Sequence, residues 1–223
     1  EQKEAYDLWK TKQISWYLPK STEQTLIAKS DAFMCRMEAE STLLHPKERS
    51  FGHLEQLNYV GARTFIRHTN SRLPKYEKSF KTVSKELDID WKLMASVGYQ
   101  ESHWRPKAMS PTGVRGLMML TQPTAQEMGV TNRLDPDASI AGGARYFAKI
   151  KKRVPKEVTE PDRTWLALAS YNVGFGHVQD ARKLTEKAGK DPNKWVDVKE
   201  FLPLLQKKKY YKQTKYGYAR GNE

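Results

Sequence analysis

Residues 99–120 read YQESHWRPKAMSPTGVRGLMML, and the helix that leads into them decides where their one glutamate sits. Upstream, Leu93, Met94 and Val97 recur at helical spacing behind Asp90, a residue type that caps helix starts, so a helix is predicted from residue 91 to about 102. Glu101 then falls in its last turn. Pro106, Pro111 and Gly113 follow and predict a loop. A carboxyl between an apolar helix and a cleft loses hydration of its charged form, which raises its pKa and keeps it protonated near neutral pH. Such a group can serve as a general acid. The plainer reading of the same position is an ion-pair partner for Arg105 or Arg115.

Working outward, the chain stays helical. Pro74 suits the first turn of a helix with Tyr76, Phe80, Val83 and Leu87 on one face. Asp135 and Pro136 open another with Ile140, Ala144, Phe147 and Ile150 inward, and Pro161 opens the one holding TWLALASYN. Gly129, Gly174 and Gly176 read as stops or turns. Few stretches after Gly52 alternate with period two, so this part is mainly α. Before it, QISWYLPK reads as a strand and residues 22 to 40 as a helix with Leu26, Ser30, Phe33 and Met37 along one stripe. One strand and one helix cannot cover their own apolar faces. Residues 1–50 are therefore expected to be a remnant of a larger α/β domain, and residues 51–223 a second domain, with the boundary in LHPKERSFGHLEQ.

Thirty-nine Lys and Arg against twenty-six Asp and Glu leave a net charge of +13, which favours encounter with a polyanion or an anionic surface. The cations are interleaved with acids, as at Lys75, Lys78, Lys81 and Lys85, so each one alone reads as part of a solvated face. No nucleic-acid recognition motif accompanies the charge, and no nucleic-acid partner is expected. The one cysteine, Cys35, excludes an internal disulfide and reads as a buried inert thiol. No run approaches the ~20 apolar residues of a membrane span. The opening EQKEAYDLW is neither a signal peptide nor a Met start, so removed targeting information is expected. His45, His53, His68, His103 and His177 lack zinc spacing, and GFGH follows a helix rather than a strand, so no metal and no cofactor are expected.

Four short motifs taken together, QESHW, SPTGVRGLMML, SIAGGARYF and ALASYN, resemble the lysozyme-like lytic transglycosylases in order and spacing over residues 59–223. The resemblance implies a lysozyme-like catalytic domain that cuts peptidoglycan glycan strands, and it makes Glu101 the catalytic acid and base. It implies substrate contact for Ser102 beside it, Ser110 in the following loop, and Gly116, Leu117 and Met118 lining the cleft. Tyr146 would support the cleft, and Tyr171 and Asn172 would meet the sugar. Met119 stands where most members carry Gln, losing a hydrogen-bonding side chain, and Ser170 replaces the usual Ala. Some members place a periplasmic substrate-binding-protein-like domain before the catalytic one, and residues 1–50 resemble its end; its small ligand is unknown. The family also runs on past YGYARG, so a truncated C-terminus is expected. A periplasmic location with peripheral attachment to the outer membrane of a Gram-negative bacterium is implied.

Glycosidases commonly use two carboxylates. Asp88 and Asp90 lie at the far end of the same helix, ~16 Å from Glu101 at 1.5 Å per residue. They cannot be its partner. One carboxyl suffices if the substrate supplies the nucleophile, as the resemblance implies: the C6 hydroxyl of N-acetylmuramic acid closes on its own anomeric carbon. Two other readings stay open, a hydrolytic lysozyme using a second carboxylate from elsewhere, and a non-catalytic wall-binding or sensing module.

Overall fold

The computed structural model describes residues 24–39 and 59–219. The chain divides into two units, Glu1–Gln56 and Leu57–Glu223. Of the first, helix α1 (Gln24–Ala39) is described, within a residue or two of the expected span. Leu26 and Phe33 on its stripe leave 51% and 40% of their surface exposed. The expected strand QISWYLPK, the side chains of Cys35 and Met37 and the boundary segment lie outside the described residues.

The second unit is helical. Helix α2 (Tyr59–Ser71) leads into a 3-10 turn, Leu73–Lys75, and then α3 (Glu77–Glu86). Pro74 thus lies in the 3-10 turn, and the α-helix begins three residues later than the sequence suggests. Helix α4 (Trp91–Ser102) is capped as expected, the Asp90 carboxylate accepting from Lys92 N at 2.9 Å. A short α5 (Gln122–Glu127) precedes α6 (Pro136–Arg153), where Asp135 accepts from Ala138 N at 2.7 Å. Helices α7 (Asp162–Val173) and α8 (Phe175–Lys187) meet at Gly174, whose φ of 94° lets the chain turn sharply between them. Gly176 is not a turn: it lies in the first turn of α8, where an added Cβ would stand 2.6 Å from the Tyr216 ring. The short α9 (Trp195–Val198), a 3-10 turn Pro203–Gln206 and α10 (Lys208–Tyr211) close the described chain.

Helix α6 is the axis of this unit, packing on α3 and on α7, with α4 against α3 and α8 against α7. Ile140, Ala144, Phe147 and Ile150 form its buried stripe, the inward face expected from their spacing. They meet Phe80 and Val83 of α3, Met94 of α4, Leu166 of α7 and Val178 of α8. A side chain the size of Phe147 contributes roughly 1.5–3 kcal/mol by leaving water, so this stripe fixes where α6 lies. Among the described residues extended pairing is limited to isolated bridges, Met109 with Arg115 and Arg115 with Leu120, in the loop after α4.

Candidate active site

Glu101 rides on the last turn of α4, half-buried, and the helix ends one residue later, at Ser102. His103 and Trp104 take left-handed φ values of 52° and 55°. Two non-glycine residues there are strained, and the strain is held by burial of the Trp104 indole, which donates to Ala95 O at 2.8 Å. Ser102 is 3% exposed; its hydroxyl donates to Leu117 O at 2.7 Å and accepts from Arg105 N at 3.0 Å. The residue beside the glutamate thereby ties the end of α4 to the GLM turn.

That turn is a four-residue loop. Arg115 and Leu120 exchange backbone bonds of 3.1 and 3.0 Å, and residues 116–119 cross between them. Gly116 has φ 89°, and a Cβ on it would sit 1.8 Å from Arg133 O, so glycine is required on both counts. Arg133 Nη1 donates to Gly113 O and Leu120 O, each at 2.9 Å, clasping the loop. Leu117 and Met118 are 0% exposed and point into the core. Their side chains therefore do not line a cleft, as the resemblance implied; they anchor the turn from behind. Met119, half-buried with φ 48°, is the member of the turn whose side chain keeps some exposure.

Three helices hold the backbone of this turn by side chains. Ser102 of α4 takes Leu117 O, the buried Ser139 of α6 accepts from Met118 N at 3.1 Å, and Tyr171 of α7 donates to Met118 O at 3.1 Å. Burial pushes the Tyr171 hydroxyl well above its ordinary pKa, with the negative charge of Glu101 and then Tyr146 adding to it. Tyr171 therefore stays protonated and donates at any working pH. The same coupling puts Glu101 within electrostatic reach of that hydroxyl. Tyr146 packs its ring on Tyr171, centroids 5.4 Å apart, and its own pKa is raised by burial and then by Glu127.

The structure thus brings together Glu101, Ser102, Leu117, Met118, Tyr146 and Tyr171. The Ser110 hydroxyl bonds the exposed Thr112 Oγ1 at 2.8 Å and accepts from Val114 N at 3.2 Å, within its own turn. Asn172 is exposed on the last turn of α7. Ser170 is buried and donates to Leu166 O at 2.7 Å, so a hydroxyl in place of Ala is satisfied within its own helix. Sequence reasoning missed Ser139, Arg133 and the glycines that receive the turn. An added Cβ on Gly143 would lie 2.8 Å from Met118, and one on Gly98 3.0 Å from Leu117. A pair of glycines inside a helix, each costing about 1 kcal/mol against Ala, was the available signal for such a contact. Among the described residues no three of His, Cys, Asp and Glu gather as a metal site would need.

Comparison with known proteins adds the family. The model of the transglycosylase SLT domain matches residues 78–194, which spans Glu101, the GLM turn, Tyr146 and Tyr171. Membrane-bound lytic murein transglycosylase F of Hahella chejuensis is 58% identical over 221 residues, 99% of this chain and 43% of its own length. The protein of that name from Marinobacter nauticus is 56% identical over 220 residues, covering 99% of this chain and 44% of its own. That of Ectopseudomonas mendocina is 55% identical over 219 residues, 98% and 45%. The chain spans less than half the length of these curated relatives.

Proposed function

The chain belongs to the transglycosylase SLT domain family, and from that premise we propose that it cuts the glycan strand of peptidoglycan without water, Glu101 acting first as acid and then as base. Glu101 gives its proton to the oxygen joining N-acetylmuramic acid to N-acetylglucosamine. The acetamido group of the muramic residue steadies the charge that develops at the anomeric carbon, a substrate-assisted course that needs no second carboxylate. The ionised Glu101 then takes the proton of the C6 hydroxyl, whose oxygen closes on the anomeric carbon to give a 1,6-anhydro end.

The observation that supports this reading is the bracing, from three helices, of the turn that is tied to the residue next to Glu101. Ser102, next to Glu101, and Tyr171, which feels its charge, bond adjacent carbonyls of the same turn. A turn so fixed, joined to the end of the helix that carries Glu101, supports a preset position for the carboxyl, the positional part of catalysis. Tyr171, Asn172 and Ser110 orient the sugar and its acetamido group, with Tyr146 behind Tyr171. Gly116, Leu117 and Met118 shape the turn, and Met119 offers the sugar a thioether where most of the family carries an amide.

Peptidoglycan is the partner in this reading, with the protein acting in the periplasm of a Gram-negative bacterium and attached peripherally to the outer membrane. The names of the relatives support an envelope location. Among the described residues no helix is long and apolar enough to cross a membrane. Residues before about Ser50 are read as the end of a substrate-binding-protein-like domain, a reading supported by the apolar Leu26 left exposed on α1.

Mass spectrometry of digested sacculi tests the proposal. Each cut should leave a 1,6-anhydromuramoyl end about 18 Da lighter than the hydrolytic end, because the intramolecular hydroxyl replaces water. Glu101→Gln should lower the yield by about 10² to 10⁴, the usual worth of general acid–base catalysis. Mainly reducing ends that carry label from ¹⁸O water would replace the mechanism with hydrolysis.

A further inference from the structure

Helix α6 has a third face that neither the core nor the candidate active site uses. Arg145, Lys149, Lys152 and Arg153 line a groove of about 430 Å³ there, with Leu87 and Ala148 as its apolar lining. Cations in the last turn of a helix complement its dipole, which accounts for Lys152 and Arg153. Arg145 lies two turns earlier, beyond the reach of that effect.

Three of the four cations are tethered. Arg145 Nη1 donates to Met128 O at 2.6 Å, Lys149 pairs with Glu127, and the Arg153 guanidinium lies 4.1 Å over the Phe175 ring. Fixing them beforehand lowers the entropy a ligand must give up. Among the described residues no carboxylate lines the groove, and Glu127 reaches it only through its pair with Lys149, so the groove keeps a positive surplus. Lys152 makes no ion pair among the described residues.

We propose that this groove is a non-catalytic site for a short acidic peptide, namely the peptide side chains of the wall polymer, an assignment that rests on the substrate proposed above. From Arg145 to Lys152 and Arg153 the charges spread over roughly 10–12 Å at 1.5 Å per residue. A compact phosphate calls for donors that converge on one point. An extended peptide of three to four residues covers the same span at about 3.3–3.6 Å each, with carboxylates at its ends and small apolar side chains over Leu87 and Ala148. Peptidoglycan stems, built from alanine, glutamate and a diamino acid with free carboxylates, have that chemistry. Arg145 and Tyr146 are adjacent, which puts groove and candidate site on neighbouring faces of one helix. The groove would favour strands that carry peptides over bare glycan.

The test uses the full chain carrying Glu101→Gln, so that nothing turns over, and the free tripeptide L-alanyl-γ-D-glutamyl-diaminopimelate as probe. Titration followed by amide NMR should move the signals of Leu87, Ala148 and Lys152. Lys152→Glu should weaken binding about fivefold and Glu127→Gln tighten it about twofold, as charge changes at half-exposed sites do. The tripeptide with its carboxylates amidated should not bind. Unchanged affinity in Lys152→Glu, or displacement from the same amides by inorganic phosphate or phosphatidylglycerol vesicles at equal concentration, would overturn the assignment. The readout needs no lysis, and digestion of sacculi by the chain with Glu101 intact is scored separately, so absent tripeptide binding beside anhydro products removes the groove alone. Tripeptide binding without anhydro products removes the proposed reaction instead.

Discussion

At the scale of single residues, Glu101 is held from the backbone side. Two left-handed residues end its helix at a cost of about 1–3 kcal/mol each, and the buried indole of Trp104 together with the Ser102 hydroxyl keeps that conformation in place. Tyr171 of α7 holds the neighbouring turn through one hydrogen bond to Met118 O. Tyr171→Phe keeps the ring on Tyr146 and removes only that bond. About 1 kcal/mol of stability should go with it, a fall in Tm of roughly 2–4 °C in a domain of this size. If the bond also places the turn against the sugar, kcat on muroglycan should fall about tenfold while KM changes less. A shift in Tm with kcat untouched would show that Tyr171 only packs.

At the scale of elements, the GLM turn is a wedge received by glycines. Leu117 and Met118 enter between α4 and α6, and Gly98 and Gly143 are the positions where a Cβ would collide with them. Gly143→Ala should cost about 1–3 kcal/mol by overpacking and disturb the Met118 carbonyl that Tyr171 holds, so thermal stability and lytic rate should fall together. A loss under about 0.5 kcal/mol would mean the turn yields freely. The helices themselves could be read from the sequence: Asp90 and Asp135 cap where expected, and Ile140 to Ile150 bury the predicted stripe. Local rules suffice there, because caps and periodicity act within one helix. Motif order put Glu101, Tyr146 and Tyr171 into one expected site, and the fold packs Tyr146 on Tyr171. What was not legible depends on long-range contact. Ser139 and Arg133 look like ordinary polar residues until the fold sets them on the turn, and Leu117 and Met118 look like cleft residues until their burial is known.

At the scale of the whole molecule, the excess of +13 has to be placed between stability and encounter. Several cations are spent in exposed pairs, Lys81 with Glu77, Lys151 with Glu160 and Lys190 with Glu200. Such pairs are worth about 0–1 kcal/mol each, so they do not explain the surplus. The net surplus acts at long range, where it favours approach to an anionic polymer and fades as salt shortens the Debye length to ~8 Å at physiological strength. The chemistry proposed at Glu101 would depend instead on short contacts inside a half-buried site, which salt screens far less. Association with sacculi should therefore slow about tenfold or more as salt rises from low to a few tenths molar. Turnover of a short, peptide-free glycan should change much less over the same range. Stopped-flow capture beside steady-state turnover separates the two, and equal salt sensitivity would assign the surplus charge to the chemical step rather than to capture.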